Sequence, residues 1–247
     1  MSPKAADLYN VNGLVAVVTG GSTSIGLAIT KALAQNGAKR VYIVGRRREK
    51  LEAAAEELAV DGNVVPLVGE VTSKESLAEI ARQVEDDAGY VHLLVANAGI
   101  TGPKIRPALD PATGSIDDFV ERAWSTPASD FVRAFDVNVA AVHYSVLAFL
   151  RLLDRGNRAH NQFRDGVASQ VVAVSAVPGC ARLKAASFAY GSSKAALAHL
   201  MKHLSVWCAR WNIRCNVVAP GSLSSLGLSH HFMIPIPLPD LDDEEDG

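Results

Sequence analysis

Cysteine is scarce in this chain of 247 residues. Its three copies, Cys180, Cys208 and Cys215, form neither an even set nor a C-x-x-C pair. Neither a disulfide framework nor a cysteine zinc site is implied, and reduced thiols fit a cytoplasmic setting. Long apolar runs are missing as well. No stretch approaches the roughly 20 residues of a membrane-spanning helix, and the opening M-S-P-K-A-A-D-L-Y-N-V-N-G lacks the apolar core of a secretory signal. Nor is there a basic stripe with interleaved aromatics. The formal charge of −2 conceals six acids among the last eight residues, without which 24 basic residues face 20 acidic ones. That surplus is too small and scattered to predict a nucleic-acid partner. A cytoplasmic protein with neither membrane nor nucleic acid as partner is the expectation.

What the chain does have is apolar content, 49% of its residues with 20% charged, enough for one sizeable core. Short β-branched runs alternate with longer helical stretches. Leu14 to Thr19, Val41 to Val44, Val64 to Val68, Val91 to Ala96, Gln170 to Ser175 and Ile213 to Val218 read as strands. Helical periodicity occupies the intervals near 25–36, 48–59, 74–88, 129–154 and 188–210. Nearly continuous apolar strands separated by helices predict a doubly wound α/β fold, a Rossmann-like parallel sheet of six strands with helices on both faces. The segments Ile100 to Trp124 and Arg155 to Gly166 read as long loops. The first leaves the carboxyl end of the fourth strand, where ligands of open α/β sheets bind. A single domain is expected over residues 1–228. A tail occupies 229–247, broken by Pro235, Pro237 and Pro239 and then acidic, expected to stay solvated and flexible.

Two patterns carry chemistry. After the first strand comes T-G-G-S-T-S-I-G, Thr19 to Gly26, opening a helix. A glycine-rich turn of this kind brings backbone N–H groups and a helix dipole to a pyrophosphate. Twenty residues on, the second strand ends in Gly45 followed by Arg46, Arg47 and Arg48. An acid there would bond the ribose 2′-hydroxyl of NAD, whereas arginine accommodates the 2′-phosphate of NADP. The alternative is a solvated charge run, although arginines oppose the dipole at a helix start. Tyr190 and Lys194, in Y-G-S-S-K, stand four residues apart on a helix and so share a face. An ammonium near a phenol, whose usual pKa is about 10, would ease its ionisation.

In order and spacing these pieces resemble the short-chain dehydrogenase/reductase family over about residues 14 to 221. The turn is similar to the family's T-G-x-x-x-G-x-G, V-A-N-A-G (Val95 to Gly99) to its N-N-A-G, V-N-V (137–139) to its helix asparagine, and Val218-Ala219-Pro220-Gly221 to its P-G turn. The resemblance implies that Tyr190 exchanges a proton with the substrate oxygen, that Lys194 supports it and binds the nicotinamide ribose, and that Asn138 holds a water linked to the lysine. It implies NADP(H)-binding roles for Gly20, Ser22, Ser24, Ile25, Gly26, Arg46, Glu70, Val71, Asn97, Gly99 and Pro220, besides Tyr190 and Lys194. No metal is implied, since His230 and His231 lack a third ligand at suitable spacing. The activity implied is NADPH-dependent ketone/alcohol interconversion on a small carbonyl or alcohol substrate. A homodimer through the helices near 129–154 and 188–210 is implied too.

Four departures stand against the family pattern. Ser24 replaces the middle glycine of the turn, and Glu70 an aspartate. Ala176 falls where the serine of S-S-x-x-G polarises the substrate, so that only a local bulge at Pro178 would bring Ser175 into the site. The chain also ends 26 residues after Gly221. These departures keep open a second reading: a nucleotide-binding protein of the same fold that performs no hydride transfer and acts as a scaffold, a regulator or a chamber for other chemistry.

Overall fold

The computed structural model describes residues 10–103, 114–158, 160–164, 166–181 and 187–221. Six strands, β1 (Val15–Thr19), β2 (Arg40–Gly45), β3 (Val64–Val68), β4 (Leu93–Ala96), β5 (Gln170–Val174) and β6 (Arg214–Val218), form one parallel sheet in the order β3-β2-β1-β4-β5-β6. The order reverses direction between β1 and β4, the switch point at which such sheets bind nucleotides.

The helices are α1 (Ser24–Gln35), α2 (Arg48–Leu58), α3 (Lys74–Asp87), α4 (Ile116–Trp124), α5 (Ala128–Phe135), α6 (Ala141–Gly156) and α7 (Phe188–Cys208). Side-chain alternation along β1 divides the core between two layers. Val15 and Val17 join the cluster with Leu77, Ile80, Phe149, Leu153, Leu197 and Met201 from α3, α6 and α7. Ala16 and Val18 point the other way, to Leu33 of α1 and Leu51, Ala54 and Leu58 of α2. Burial on both faces explains why the central strands β1, β2 and β4 read as unbroken apolar runs, whereas edge strand β6 is exposed at Arg214, Asn216 and Val218.

Two regions depart from the sequence reading. The segment expected to be a loop from Ile100 to Trp124 contains α4, capped by Ser115, whose hydroxyl accepts from Asp118 N. No residue of α4 is buried, although Ile116, Phe119, Val120 and Trp124 recur at helical spacing; the glycines and prolines that precede them made the segment read as a loop. The single helix expected over 129–154 is interrupted by a π turn at Asp136–Ala140 between α5 and α6. By length and composition the run 128–156 would also suffice to cross a membrane. Its buried residues, among them Val146, Phe149, Leu152 and Leu153, are instead spent on the sheet. The 229–247 tail and the His230 and His231 pair lie outside the described residues.

Candidate active site

The turn after β1 is built for close approach. Gly20 has φ of 67°, and a Cβ on Gly26 would collide with the Gly20 carbonyl oxygen. The buried Thr30 hydroxyl bonds the carbonyls of Gly21 and Gly26 at 3.0 and 2.9 Å, locking the turn to α1. The N-cap residue of α1, Thr23, makes no side-chain cap bond, as at α2 and α5, whereas serines cap α3, α4 and α7. The first N–H groups of α1 are therefore left for another acceptor, the arrangement that suits a pyrophosphate. Ser22, Ser24 and Ile25 lie on this turn. Ser24 adopts φ of 49°, the left-handed region where glycine is at ease and an L side chain is strained.

Asn97 is committed to holding β4 against the turn. Its Nδ2 donates to the carbonyls of Thr19 and Gly20 at 2.9 and 3.3 Å. The Thr19 hydroxyl in turn accepts from the N–H groups of Asn97 and Ala98 at 3.0 and 3.1 Å. Thr19 and Thr30 were not singled out from the sequence. Their signal is a hydroxyl type on an otherwise apolar, buried face, where every polar group needs a partner.

At the far end of β2, Arg46 Nη1 lies 3.4 Å from Glu70 Oε2, both side chains being solvent-exposed. The two residues expected around the adenosine half of the cofactor therefore stand side by side. Val71 is buried in the core.

Beyond β4 and β5 the chemistry-bearing residues converge. Asn138 lies in the π turn and is fully buried, an irregularity that often marks functional positions in helices. Its Oδ1 accepts from Ile100 N at 2.9 Å, while Nδ2 donates to Ile100 O and to Ser193 Oγ, each at 2.9 Å. Three of its four hydrogen-bonding positions are thus taken by protein, leaving one lone pair of Oδ1. A Cβ on Gly99 would meet that Oδ1 at 2.9 Å and Lys194 Nζ at 3.3 Å, so the three residues share one small space. Ser193, overlooked from the sequence, joins them by donating to the Tyr190 carbonyl at 2.9 Å.

Lys194 is 4% exposed, and burial pushes its ammonium down to about 8. Its Nζ donates to the Val174 carbonyl at 2.6 Å and lies 5.8 Å from the centre of the Tyr190 ring. The expected acidification of Tyr190 is not seen, because burial acts on the phenol and raises its pKa. Position i+4 brings the pair to one face, but the lysine's short bond goes to β5.

Ser175 does not enter the site by a bulge. It continues the β5 ladder through a bond from its N–H to Val218 O, is 3% exposed, and donates its hydroxyl to the Lys194 carbonyl at 2.9 Å. Ala176 comes next with extended backbone before a 3₁₀ turn at Val177–Gly179. That turn packs so tightly on α7 that a Cβ on Gly179 would meet the Lys194 carbonyl carbon at 2.8 Å. Pro220 closes the other side by accepting from Val177 N at 3.0 Å.

The family model described as short chain dehydrogenase matches residues 14–229. A curated relative from Diaporthe leptostromiformis, short-chain dehydrogenase/reductase PhomF, is 44% identical over 217 residues, covering 88% of this chain and 72% of its own. Short-chain dehydrogenase/reductase VdtF of Byssochlamys spectabilis is 41% identical over 233 residues, covering 88% and 75%. Among solved structures, the Pseudomonas aeruginosa RhlG/NADP active-site complex superposes with a TM-score of 0.73 at 28% identity, covering 88% of this chain and 75% of the other. With its switch-point turn, its buried asparagine and its tyrosine and lysine on α7, the chain belongs to the short-chain dehydrogenase family of oxidoreductases.

Proposed function

We propose that the protein is an NADPH-dependent oxidoreductase that interconverts a ketone and an alcohol on a small organic substrate. The observation that carries this reading is the convergence of Tyr190, Lys194, Asn138 and Gly99 beyond the ends of β4 and β5, beside the uncapped amino end of α1. The described residues fit a dinucleotide: glycines hold the backbone close, free N–H groups await phosphate, and Arg46 offers a charge to a 2′-phosphate. When bound, a nicotinamide dinucleotide supplies or takes the hydride.

The chain's own work is on the proton. Tyr190, with its pKa raised, keeps its phenol protonated at neutral pH and donates it to the carbonyl oxygen in the reductive direction. Lys194, pushed down to about 8, exchanges protons near neutrality and can restore the charge balance beside the phenol. Asn138 fixes the Ile100 backbone and, through Ser193, the α7 turn that carries Tyr190. Membership of the family, the NADP-containing neighbour and the arginine run support the phosphorylated cofactor. A cytoplasmic homodimer using α6 and α7 belongs to the same proposal, tested by light scattering.

One observation favours a second reading, a nucleotide-binding protein without hydride transfer. Ser175 is occupied by the α7 backbone and Ala176 offers no hydroxyl. The experiment that separates them is titration with NADPH, followed by absorbance measurements with a panel of ketones. Substrate-dependent NADPH oxidation that disappears in Tyr190→Phe supports the enzyme. Saturable NADPH binding with no turnover of any ketone, identical in Tyr190→Phe, supports the second reading.

A further inference from the structure

At the amino ends of the strands, away from Tyr190, the imidazole of His92 is 5% exposed and serves none of the chemistry above. It stands just before β4 and joins separate pieces of chain. Its Nδ1 accepts from the N–H of Val15, the first residue of β1, at 3.0 Å. Its Nε2 faces the carbonyl oxygen of Asn161 at 2.6 Å. The backbone of His92 donates to Val15 O at 2.9 Å and accepts from Gln170 N at 2.8 Å. The Tyr90 and Phe163 rings flank the imidazole, with centroids 5.0 and 5.8 Å away.

These partners admit one protonation state. A backbone N–H can only donate, so Nδ1 is bare; a carbonyl can only accept, so Nε2 carries the proton. A second proton could enter only at Nδ1, where it would set N–H against N–H and leave the buried Val15 donor without an acceptor. The charged groups nearby offer the imidazolium no partner. Lys39 donates to the Tyr90 hydroxyl at 3.1 Å and its ammonium opposes a second cation. The Arg164 guanidinium lies 5.4 Å from the centre of the Phe163 ring and donates to Asn10 O. Arg155 meets Asn161 through its backbone carbonyl, while its guanidinium goes to Glu85. Asp87, an acid of the neighbouring α3 end, is held by Tyr42 and Arg40. Burial, with Lys39 adding to it, keeps the imidazole below its ordinary 6.5 against the opposing pull of the Asn161 carbonyl.

We infer that His92 is an acid-released latch: as neutral imidazole it holds the start of β1 to the 157–163 segment, and on taking a proton from solvent it lets go of Val15 and opens that end of the fold. An imidazolium needs an acceptor at each nitrogen, so the ring must turn from Val15 toward water. Asn161 and Phe163 rest on the ring and move with it. The closed state is fully favoured above about pH 6.5, and that preference is lost as pH falls toward the lower folded value, because the opened chain binds the proton more readily. The inference is independent of hydride transfer.

The test is NMR of the ¹⁵N-labelled full chain from about pH 8 to about pH 5. Two-bond ¹H–¹⁵N correlations should show His92 as the Nε2–H tautomer, with a titration midpoint below 6.5. Hydrogen-exchange protection at Val15, corrected for the intrinsic pH dependence, should fall by up to about ten-fold per pH unit as one proton is taken up on opening. Leu94, in the middle of the sheet, should keep its protection. His92→Gln carries an acceptor and a donor but no titrating group, and should abolish the pH dependence at Val15. An Nδ1–H tautomer, a midpoint at or above 6.5, equal losses at Val15 and Leu94, or the wild-type pH response in His92→Gln would each overturn the inference.

Discussion

The hydroxyl of Ser175 donates to the backbone carbonyl of Lys194 at 2.9 Å, tying the end of β5 to the middle of α7. Ser175 is thus a buried strut, and its neighbour Ala176 has the extended backbone but no donor. The two positions should respond differently to mutation. Ser175→Ala should lower stability by about 1 kcal/mol, the worth of one buried hydrogen bond, the Lys194 carbonyl keeping its place in the α7 ladder, as read from urea denaturation. Ala176→Ser should raise kcat on any ketone that is turned over, by up to about 10²-fold if the new hydroxyl reaches the developing oxyanion. An unaltered kcat would show that residue 176 is not beside the substrate oxygen.

Cofactor choice rests on Arg46. A charge-assisted bond to a 2′-phosphate contributes about 1.5–3 kcal/mol, so Arg46→Asp should weaken NADPH by about 10- to 100-fold more than NADH in fluorescence titrations. The exposed pair with Glu70 contributes at most about 1 kcal/mol to folding, and stability should barely change. Equal losses for both nucleotides would place the phosphate elsewhere.

Relief of strain is expected at Ser24. An L residue in the left-handed region costs about 1–2 kcal/mol, against the roughly 0.5–1 kcal/mol of backbone entropy that glycine loses on folding. Ser24→Gly should therefore leave the protein up to about 1 kcal/mol more stable, with tighter NADPH binding as the turn opens. Weaker binding would mean that the serine hydroxyl itself holds the nucleotide.

Lys194 predicts a pH signature. Its folded pKa of about 8 lies below the ordinary 10.5, so between those values the unfolded chain holds more protons and stability rises with pH. Below about pH 8 the buried ammonium is a constant penalty. Across the window the wild type should gain on the order of 3 kcal/mol relative to Lys194→Met, measured by denaturant unfolding from about pH 7.5 to about pH 10. Parallel curves for the two proteins would show that the lysine is not depressed.

The sheet was legible because burial on both faces writes Val15–Thr19 and its partners as continuous β-branched runs. The switch-point turn was legible because close approach demands glycine at Gly20 and Gly26. α4 was hidden behind Gly102, Pro103, Pro107, Pro111 and Gly114, although Ile116, Phe119, Val120 and Trp124 recur at helical spacing and Ser115 and Asp118 carried a capping signal. The π turn was hidden because apolar spacing runs through 129–154 without a glycine or proline to mark it. Tyr190, Lys194 and Asn138 were found from their motifs. Ser193, which connects them, lay inside Y-G-S-S-K as an unremarked filler. The direction of the Tyr190 shift was missed because it depends on burial and on where Lys194 aims its short bond, neither of which spacing encodes.

A π turn is in effect one residue inserted into an α-helix. Removing a single residue from Asp136–Ala140 would let the backbone rewind to regular pitch, with α5 and α6 keeping their facings while the local bulge that presents Asn138 is lost. The side-chain amide that grips both Ile100 and Ser193 would then face another direction. The site's alignment therefore depends on chain length at this point as much as on residue identity, and an otherwise conservative shortening here would be costlier than most substitutions.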